Sequence, residues 1–371
     1  MTWDSQTVWR VILKAALLFG LTNLAFAVFD PIPALGRISL YNKVYPGRQR
    51  LPYGDNPALS YNLSPNDLNT MFAVHEVARP KPNDEFRVLV LGDSSVWGFL
   101  LRPTETLSAQ INAAGLRWSD GRAVRAYNLG YPIMSLTKDL LLLNEGLRFA
   151  PDLVVWVVTL ESFPRDKQLG HPLVRNNAGA VRSMINRYAL ALDPTDPALV
   201  ERSFWDRTLV GRRRDVADWL RLQLYGLLWA ATGVDQYYPE TYEPAQRDLE
   251  ADVAWHGLRP PSLPAEALAL DVLAAGVKMS HEAGAEVLLV NEPILISAGR
   301  NSDVRYNFFY PRWAYDDYRR ILRQWAEAHQ VRYLDAWDAV PEPEFTDSAV
   351  HLTPKGTRLF AERLLAVLRP G

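Results

Sequence analysis

The stretch DLVVWVVTL, residues 152–160, is apolar without a break from Leu153 to Val158 and dense in β-branched side chains. A strand with one wet face alternates apolar and polar residues, so an unbroken run points to a strand covered on both faces, as in a parallel sheet. Similar runs stand at residues 87–91 and in AEVLLVNEP, which as a strand ends near Asn291, with shorter ones at 123–128 and in VRYLDAW. Helix-periodic segments at 106–116, 136–149, 265–283, 315–329 and 354–368 separate them. This alternation predicts an α/β protein, a three-layer α/β/α doubly wound parallel sheet.

The alternation stops between residues 161 and 264, which predicts an insertion on the carboxyl side of the third strand, the edge where such folds bind ligands. Within it lies GRRRDVADWLRLQLYGLLWAATGV, an arginine cluster followed by an amphipathic helix rich in Trp and Leu. Two readings are open: a membrane-interface helix or acyl-binding lid, or an ordinary lid helix with a solvated basic end. Asp218 and Arg221 exclude a second full span.

At the other end of the chain, VILKAALLFGLTNLAFAVF, residues 11–29, carries a single charge, Lys14, and has the length that crosses a hydrocarbon core. Residues 1–30 are therefore expected to be a transmembrane anchor, with a cleaved signal as the alternative because AFA at 25–27 resembles a cleavage site. Arg10 and Lys14 favour a cytoplasmic N-terminus, against the pull of Arg37, Lys43, Arg48 and Arg50, and place the body of the protein outside the cytoplasm. Residues 31–84 read as a turn-dense connector and 85–371 as the main domain.

Composition narrows the chemistry. A net charge of −2 gives no basic field for nucleic acid. The absence of cysteine removes disulfides, thiolate nucleophiles and sulfur-ligated zinc. The most pointed stretch is FRVLVLGDSSVWGF, where a strand ends in Gly-Asp-Ser. A serine there projects into the crevice beside helix N-terminal N–H groups that can receive an oxyanion. Serine needs a base. Of the histidines at 75, 171, 256, 281, 329 and 351, only His351 lies in a loop between the last strand and the last helix, FTDSAVHLTPKG, on the same edge as Ser94.

VLVLGDSSVWG resembles the first block of the SGNH or GDSL hydrolase superfamily, and DSAVHLTPKGTRLFAERL is similar to its last. The resemblance implies a flavodoxin-like fold with Ser94 as nucleophile, His351 as base and Asp347 as orienting acid. It also assigns oxyanion-hole N–H groups to Ser94 and to Gly130 in AYNLGYPIMS. In the family's third block an Asn supplies a further donor. Here VTLESF puts Glu161 at that place, with Ser162 or Thr159 as substitutes, or with Glu161 kept neutral by burial. Asp347 lies four residues before His351, where the family has three. Asn291 and Glu292, in VNEP at the same sheet edge, are candidates for substrate contact or for an ordinary turn after a strand, as are Asp335 and Asp338.

The resemblance implies a membrane-anchored, extracytoplasmic serine esterase or O-acyltransferase acting on acyl groups, chiefly acetyl, of envelope glycans. It calls for no metal or organic cofactor. A lipid ester is the other substrate class. A non-catalytic binding or assembly subunit of the same fold is the alternative function.

Overall fold

The computed structural model describes residues 4–54 and 63–368; part of the 31–84 connector and both chain ends lie outside the described residues. Five strands, β1 (Glu85–Leu91), β2 (Ala123–Asn128), β3 (Leu153–Val158), β4 (Glu286–Asn291) and β5 (Arg332–Asp335), form one parallel sheet in the order β2-β1-β3-β4-β5. The order reverses between β1 and β3, so the crevice beyond their carboxyl ends is where this topology receives ligands.

Ahead of the sheet lie α1 (Ser5–Phe29), α2 (Ile32–Leu35) and α3 (Leu68–Ala73). The short α4 (Ser94–Trp97) follows β1, α5 (Leu107–Ala113) leads to β2, and α6 (Leu136–Gly146) leads to β3. Between β3 and β4 run α7 (Pro172–Asn176), α8 (Ala178–Tyr188), α9 (Arg213–Thr232) and α10 (Leu270–Glu282). Then α11 (Arg312–Ala328) precedes β5, and α12 (Pro354–Leu368) follows it.

The period-2 geometry of a strand sorts the unbroken apolar runs into two layers. Leu89, Leu91, Val154, Trp156 and Leu289 pack with α6, α10 and α11, while Val88, Val90, Val155, Val157 and Leu288 pack with α5 and α12. That explains why these strands show no polar alternation. The expected three-layer α/β/α architecture is the one found.

The described part of 31–84 is packed into the fold. Tyr41, Leu51, Met71 and Phe72 are buried, and Arg50 is 1% exposed. Its guanidinium pairs with buried Asp235 of the insertion, donates to the carbonyls of Gly98 and Leu101 at 2.8 and 2.9 Å, and stacks 4.5 Å above the Trp97 ring. Burial alone would raise the Asp235 carboxyl, but the Arg50 and Arg48 guanidiniums hold it below the usual range. Removing one partner of a buried ion pair strands the other. Arg50→Ala is therefore expected to lower unfolding free energy by about 3 to 5 kcal/mol, read as a shift in denaturant midpoint of the detergent-purified chain. An unchanged midpoint would show that the pair carries no net weight in the fold.

Candidate active site

β1 ends at Leu91, and the chain turns through Gly92 and Asp93 into α4. Asp93 caps that helix, its carboxylate accepting the Ser95 N–H at 2.8 Å. Ser94 is the first helical residue, so its N–H has no partner within the helix and points out of its N-terminus. Four residues later Gly98 closes the turn at φ 85°, a left-handed conformation that favours glycine.

The loop that carries His351 arrives from the far end of the chain. Phe345 and Leu352 form an antiparallel bridge, and the Thr346 N–H donates to the His351 carbonyl at 2.9 Å. The Leu295 N–H pins the loop to the chain after β4 through the Ala349 carbonyl, at 2.8 Å. This tight return places Asp347 beside His351 despite the separation of four.

Ser94 Oγ lies 2.7 Å from His351 Nε2, and His351 Nδ1 lies 3.0 Å from Asp347 Oδ1. The imidazole is largely covered, with 12% of its side chain exposed and the Phe99 ring 5.0 Å away, whereas 39% of the Asp347 side chain is exposed. Partial burial pushes the Asp347 carboxyl up, but hydrogen bonds from His351 and the Thr346 hydroxyl outweigh this and hold it below the usual range. The carboxylate is thus ionised near neutral pH, and a donor at Nδ1 leaves Nε2 as the acceptor facing Ser94.

Beneath the Ser94 turn sits a buried polar cluster. Lys138 donates to Gly92 O at 2.8 Å and Tyr131 O at 2.7 Å, and pairs with Asp139 at 2.6 Å. Glu292 accepts from the Ser95 hydroxyl. Complete burial, with Asp93 adding to it, drives the Glu292 carboxyl well above its ordinary value. At 1% exposure Glu292 faces the protein. Asn291 is fully buried; its amide donates to Asp335 at 2.9 Å, and its oxygen accepts from Tyr318 and Tyr315 at 3.2 and 3.3 Å. Both leave the set of substrate-facing candidates, because the sheet edge that holds them is roofed by side chains. Asp335 is likewise engaged, by Arg319 at 2.8 Å, while Asp338 is exposed.

The remaining oxyanion candidates fare differently. Gly130 is needed for close approach, since a Cβ there would meet the Trp97 N at 2.4 Å, and its N–H donates to Asn128 Oδ1 at 3.0 Å. Three residues on, Ile133 holds φ 71° with a half-exposed side chain. A β-branched residue in that region carries strain of about 1 to 3 kcal/mol, and such strain gathers at functional loops. Ser162 is buried and its Oγ accepts the Thr159 N–H at 3.4 Å, while the Thr159 hydroxyl lies 3.0 Å from that of Tyr310.

Glu161 is ionised, which corrects the expectation that burial keeps it neutral. Burial favours the neutral form, yet His256 and Lys167 overcome it and hold the carboxyl below the usual range. Lys167 Nζ stands 2.5 Å from Glu161 Oε1, and His256 Nε2 is 3.1 Å from that same oxygen, with Asp166 3.3 Å from His256 Nδ1. Glu161 thus pairs with His256 and not with the catalytic candidate His351. His256 had no sequence signal, because the turn from Trp255 to Leu258 brings it in from 95 residues away. By contrast, His75 is fully buried, burial driving its pKa down to about 3, and its Nδ1 accepts the Val77 N–H.

No protein-family model matches the chain, and no curated protein matches it. Among solved structures it is similar to a protein from Desulfitobacterium hafniense described as belonging to the G-D-S-L lipolytic family, at 11% identity and TM-score 0.38, covering 76% of this chain and 99% of that one. A GDSL-like lipase from Bacteroides thetaiotaomicron gives 10% and 0.38, covering 82% and 98%. An aryl esterase from M. smegmatis gives 13% and 0.35, covering 76% and 97%. The similar structures are GDSL-family lipolytic proteins and esterases.

The Glu161 and His256 clasp generates a pH dependence. Hydrogen bonding to Glu161 outweighs partial burial and raises the His256 pKa, so its contribution to stability is full below about 6.5, the unfolded value, and fades as pH rises through the raised folded value. Glu161, lowered, contributes above its unfolded value and loses this as pH falls through the folded one. The difference in denaturant midpoint between the native chain and His256→Gln is therefore expected to be largest between those limits and to shrink towards alkaline pH. A difference that is flat with pH would remove the charged clasp.

Proposed function

We propose that this chain is a serine esterase or O-acyltransferase of the SGNH or GDSL type, held at a membrane by α1 with its catalytic domain outside the cytoplasm. The observation that carries the reading is the chain of contacts from Ser94 Oγ to His351 Nε2 at 2.7 Å and from His351 Nδ1 to Asp347 at 3.0 Å. Nucleophile, base and orienting acid stand within hydrogen-bond reach.

In the mechanism, His351 Nε2 takes the Ser94 proton as Oγ attacks the ester carbonyl. Asp347 stabilises the imidazolium that forms. The Ser94 N–H at the start of α4 stabilises the oxyanion. Collapse expels the alcohol, which receives the proton from His351. Water, or a sugar hydroxyl in a transfer reaction, then attacks the acyl-enzyme with His351 again as base. Ester-linked acetyl groups of envelope glycans are the preferred substrate, on the family resemblance and the anchored setting; a lipid ester is the other class.

Retention of α1 as an anchor is supported by its own contacts. Its mean hydropathy is 2.0 over the most apolar window, and its 25 residues extend about 37 Å, longer than the roughly 30 Å hydrocarbon core. Asn23 Oδ1 accepts the Val210 N–H at 3.0 Å and Ala27 is buried, so the end of the helix is built into the fold.

One observation favours the second reading, a non-catalytic subunit. Glu161 is an ionised carboxylate at the third-block position, where losing a neutral donor costs about 2.7 to 4 kcal/mol of transition-state stabilisation. Hydrolysis of p-nitrophenyl acetate and longer esters by the full chain, with Ser94→Ala and His351→Ala beside it, decides between the two. The esterase reading expects slow turnover, covalent labelling of Ser94 by a fluorophosphonate, and loss of both in Ser94→Ala. The chain-length profile sorts acetyl from lipid substrates. A folded native chain that neither turns over nor labels at Ser94 overturns the catalytic reading in favour of the binding one.

A further inference from the structure

α9 has two unlike faces. Leu222, Gln223 and Gly226 are buried against residues 38–45, the segment that follows α1 and α2. Gln223 accepts the Leu40 N–H at 2.9 Å and donates to Ile38 O at 3.3 Å, as does the Trp219 indole, also at 3.3 Å. Gly226 lies flat on the Tyr41 ring, where a Cβ would meet Cε1 at 1.9 Å.

The opposite face holds Leu220, Leu224, Leu227 and Leu228, which are 46 to 61% exposed. On a helix of 3.6 residues per turn these four fall within an arc of about 100°. Arg213, Arg214 and Arg221 are exposed along the same helix. A soluble helix turns such a stripe towards a core, whereas an interfacial helix turns it outward with arginines along the polar face.

What lies beside this stripe identifies its occupant. The turn just before α9 exposes Trp205 at 76% and also Phe204 and Val210, and it packs along α1 through the bond from Val210 N–H to Asn23 Oδ1. Asn23 is six residues from the end of α1, about 9 Å along the axis. Counted from Ser5, Asn23 stands about 27 Å along α1, so a core of roughly 30 Å that begins with the helix places it just inside the interface where tryptophan collects. Leu40 and Val44 add exposed apolar area on the segment under α9.

We infer that α9, with the Phe204 to Val210 turn, is a second membrane contact: its leucine stripe beds into the interface of an anionic bilayer while Arg213, Arg214 and Arg221 meet lipid phosphates. The inference rests on the reading of α1 as a retained anchor. The catalytic domain is then held against the bilayer by two elements, and the helix is not a lid over the Ser94 site.

The chain contains no cysteine, so a single introduced thiol reports one place. Full-length Leu18→Cys, Leu224→Cys and Glu362→Cys are labelled with the environment-sensitive NBD fluorophore and reconstituted in phosphatidylglycerol and phosphatidylcholine vesicles carrying shallow or deep doxyl lipids. The Leu18 site, in the middle of α1, is expected to be quenched by the deep label. The Leu224 site is expected to be blue-shifted and quenched several-fold more by the shallow label than the Glu362 site on exposed α12. Combining Leu220→Glu and Leu227→Glu, both at exposed positions, is expected to abolish the Leu224 quenching while leaving the melting temperature in detergent unchanged.

If the Leu18 probe is quenched but the Leu224 probe behaves like that at Glu362, the interfacial contact is overturned and the anchor stands. If the Leu18 probe is not quenched, or α1 is missing from the purified chain, the anchor reading falls and the inference with it. Leu224 shielding that vanishes on dilution of protein in lipid assigns the stripe to a second copy of the chain and also overturns the inference.

Discussion

The ammonium of Lys138 joins the two loops on which the site around Ser94 is built. It is fully buried, and its three protons have three acceptors: Gly92 O in the turn after β1, Tyr131 O in the loop after β2, and the Asp139 carboxylate. The Tyr131 N–H closes the same junction on Gly92 O at 3.0 Å. A buried charge is tolerated only when paired and hydrogen-bonded. Burial drives the Asp139 carboxyl up, with Lys138 and the Trp156 indole opposing it. The expense falls beneath Ser94, the nucleophile of the proposed reading, where a misplacement of about 1 Å can cost two orders of magnitude in rate.

Two carboxyl groups near this sheet edge respond to burial in different ways. Glu292, sealed beneath α4, has its carboxyl driven up by burial and by nearby Asp93 and Asp139, against the hydrogen bond from Ser95 and the charge of Lys138. Glu161, nearer the surface, stays ionised and spends its charge on Lys167 and His256. The salt bridges of Glu161 thus offset locally the charge that burial leaves on its carboxylate.

The sequence made the scaffold legible because covered parallel strands read as unbroken apolar runs and α12 runs from Pro354 to Leu368 as its periodicity predicts. The grouping of Ser94, Asp347 and His351 was legible for a topological reason: loops at the carboxyl ends of parallel strands share one edge. Depth at that edge was not. Asn291 and Glu292 stand in the right place along β4 but point into a roof of Tyr315, Tyr318 and Ser95. Lys138, in SLTKDLLLL, carries no local signal of its role, which depends on a fold that turns it inward. His256 and Arg50 draw their partners from distant segments, which no local pattern records.

The clamp on the loop after α4 links the segments around α9 to the turn that carries Ser94. Arg50 follows the segment on which α9 packs, and Asp235 and Gln236 follow the end of α9 at Gly233. Arg50 Nη1 and Gln236 Nε2 donate to the same two carbonyls, Gly98 O and Leu101 O, at 2.8 to 3.0 Å. Gly98 O also accepts the Leu101 N–H at 3.1 Å, so three donors converge on that carbonyl. Trp97 is fixed from the same side, its indole donating to Leu51 O at 2.8 Å. The turn that presents Ser94 is therefore held from one side by Arg50 and Gln236, which flank the 38–45 segment and α9, and from the other by Lys138. Arg50 and Gln236 thus tie the position of α9 to the turn that carries Ser94.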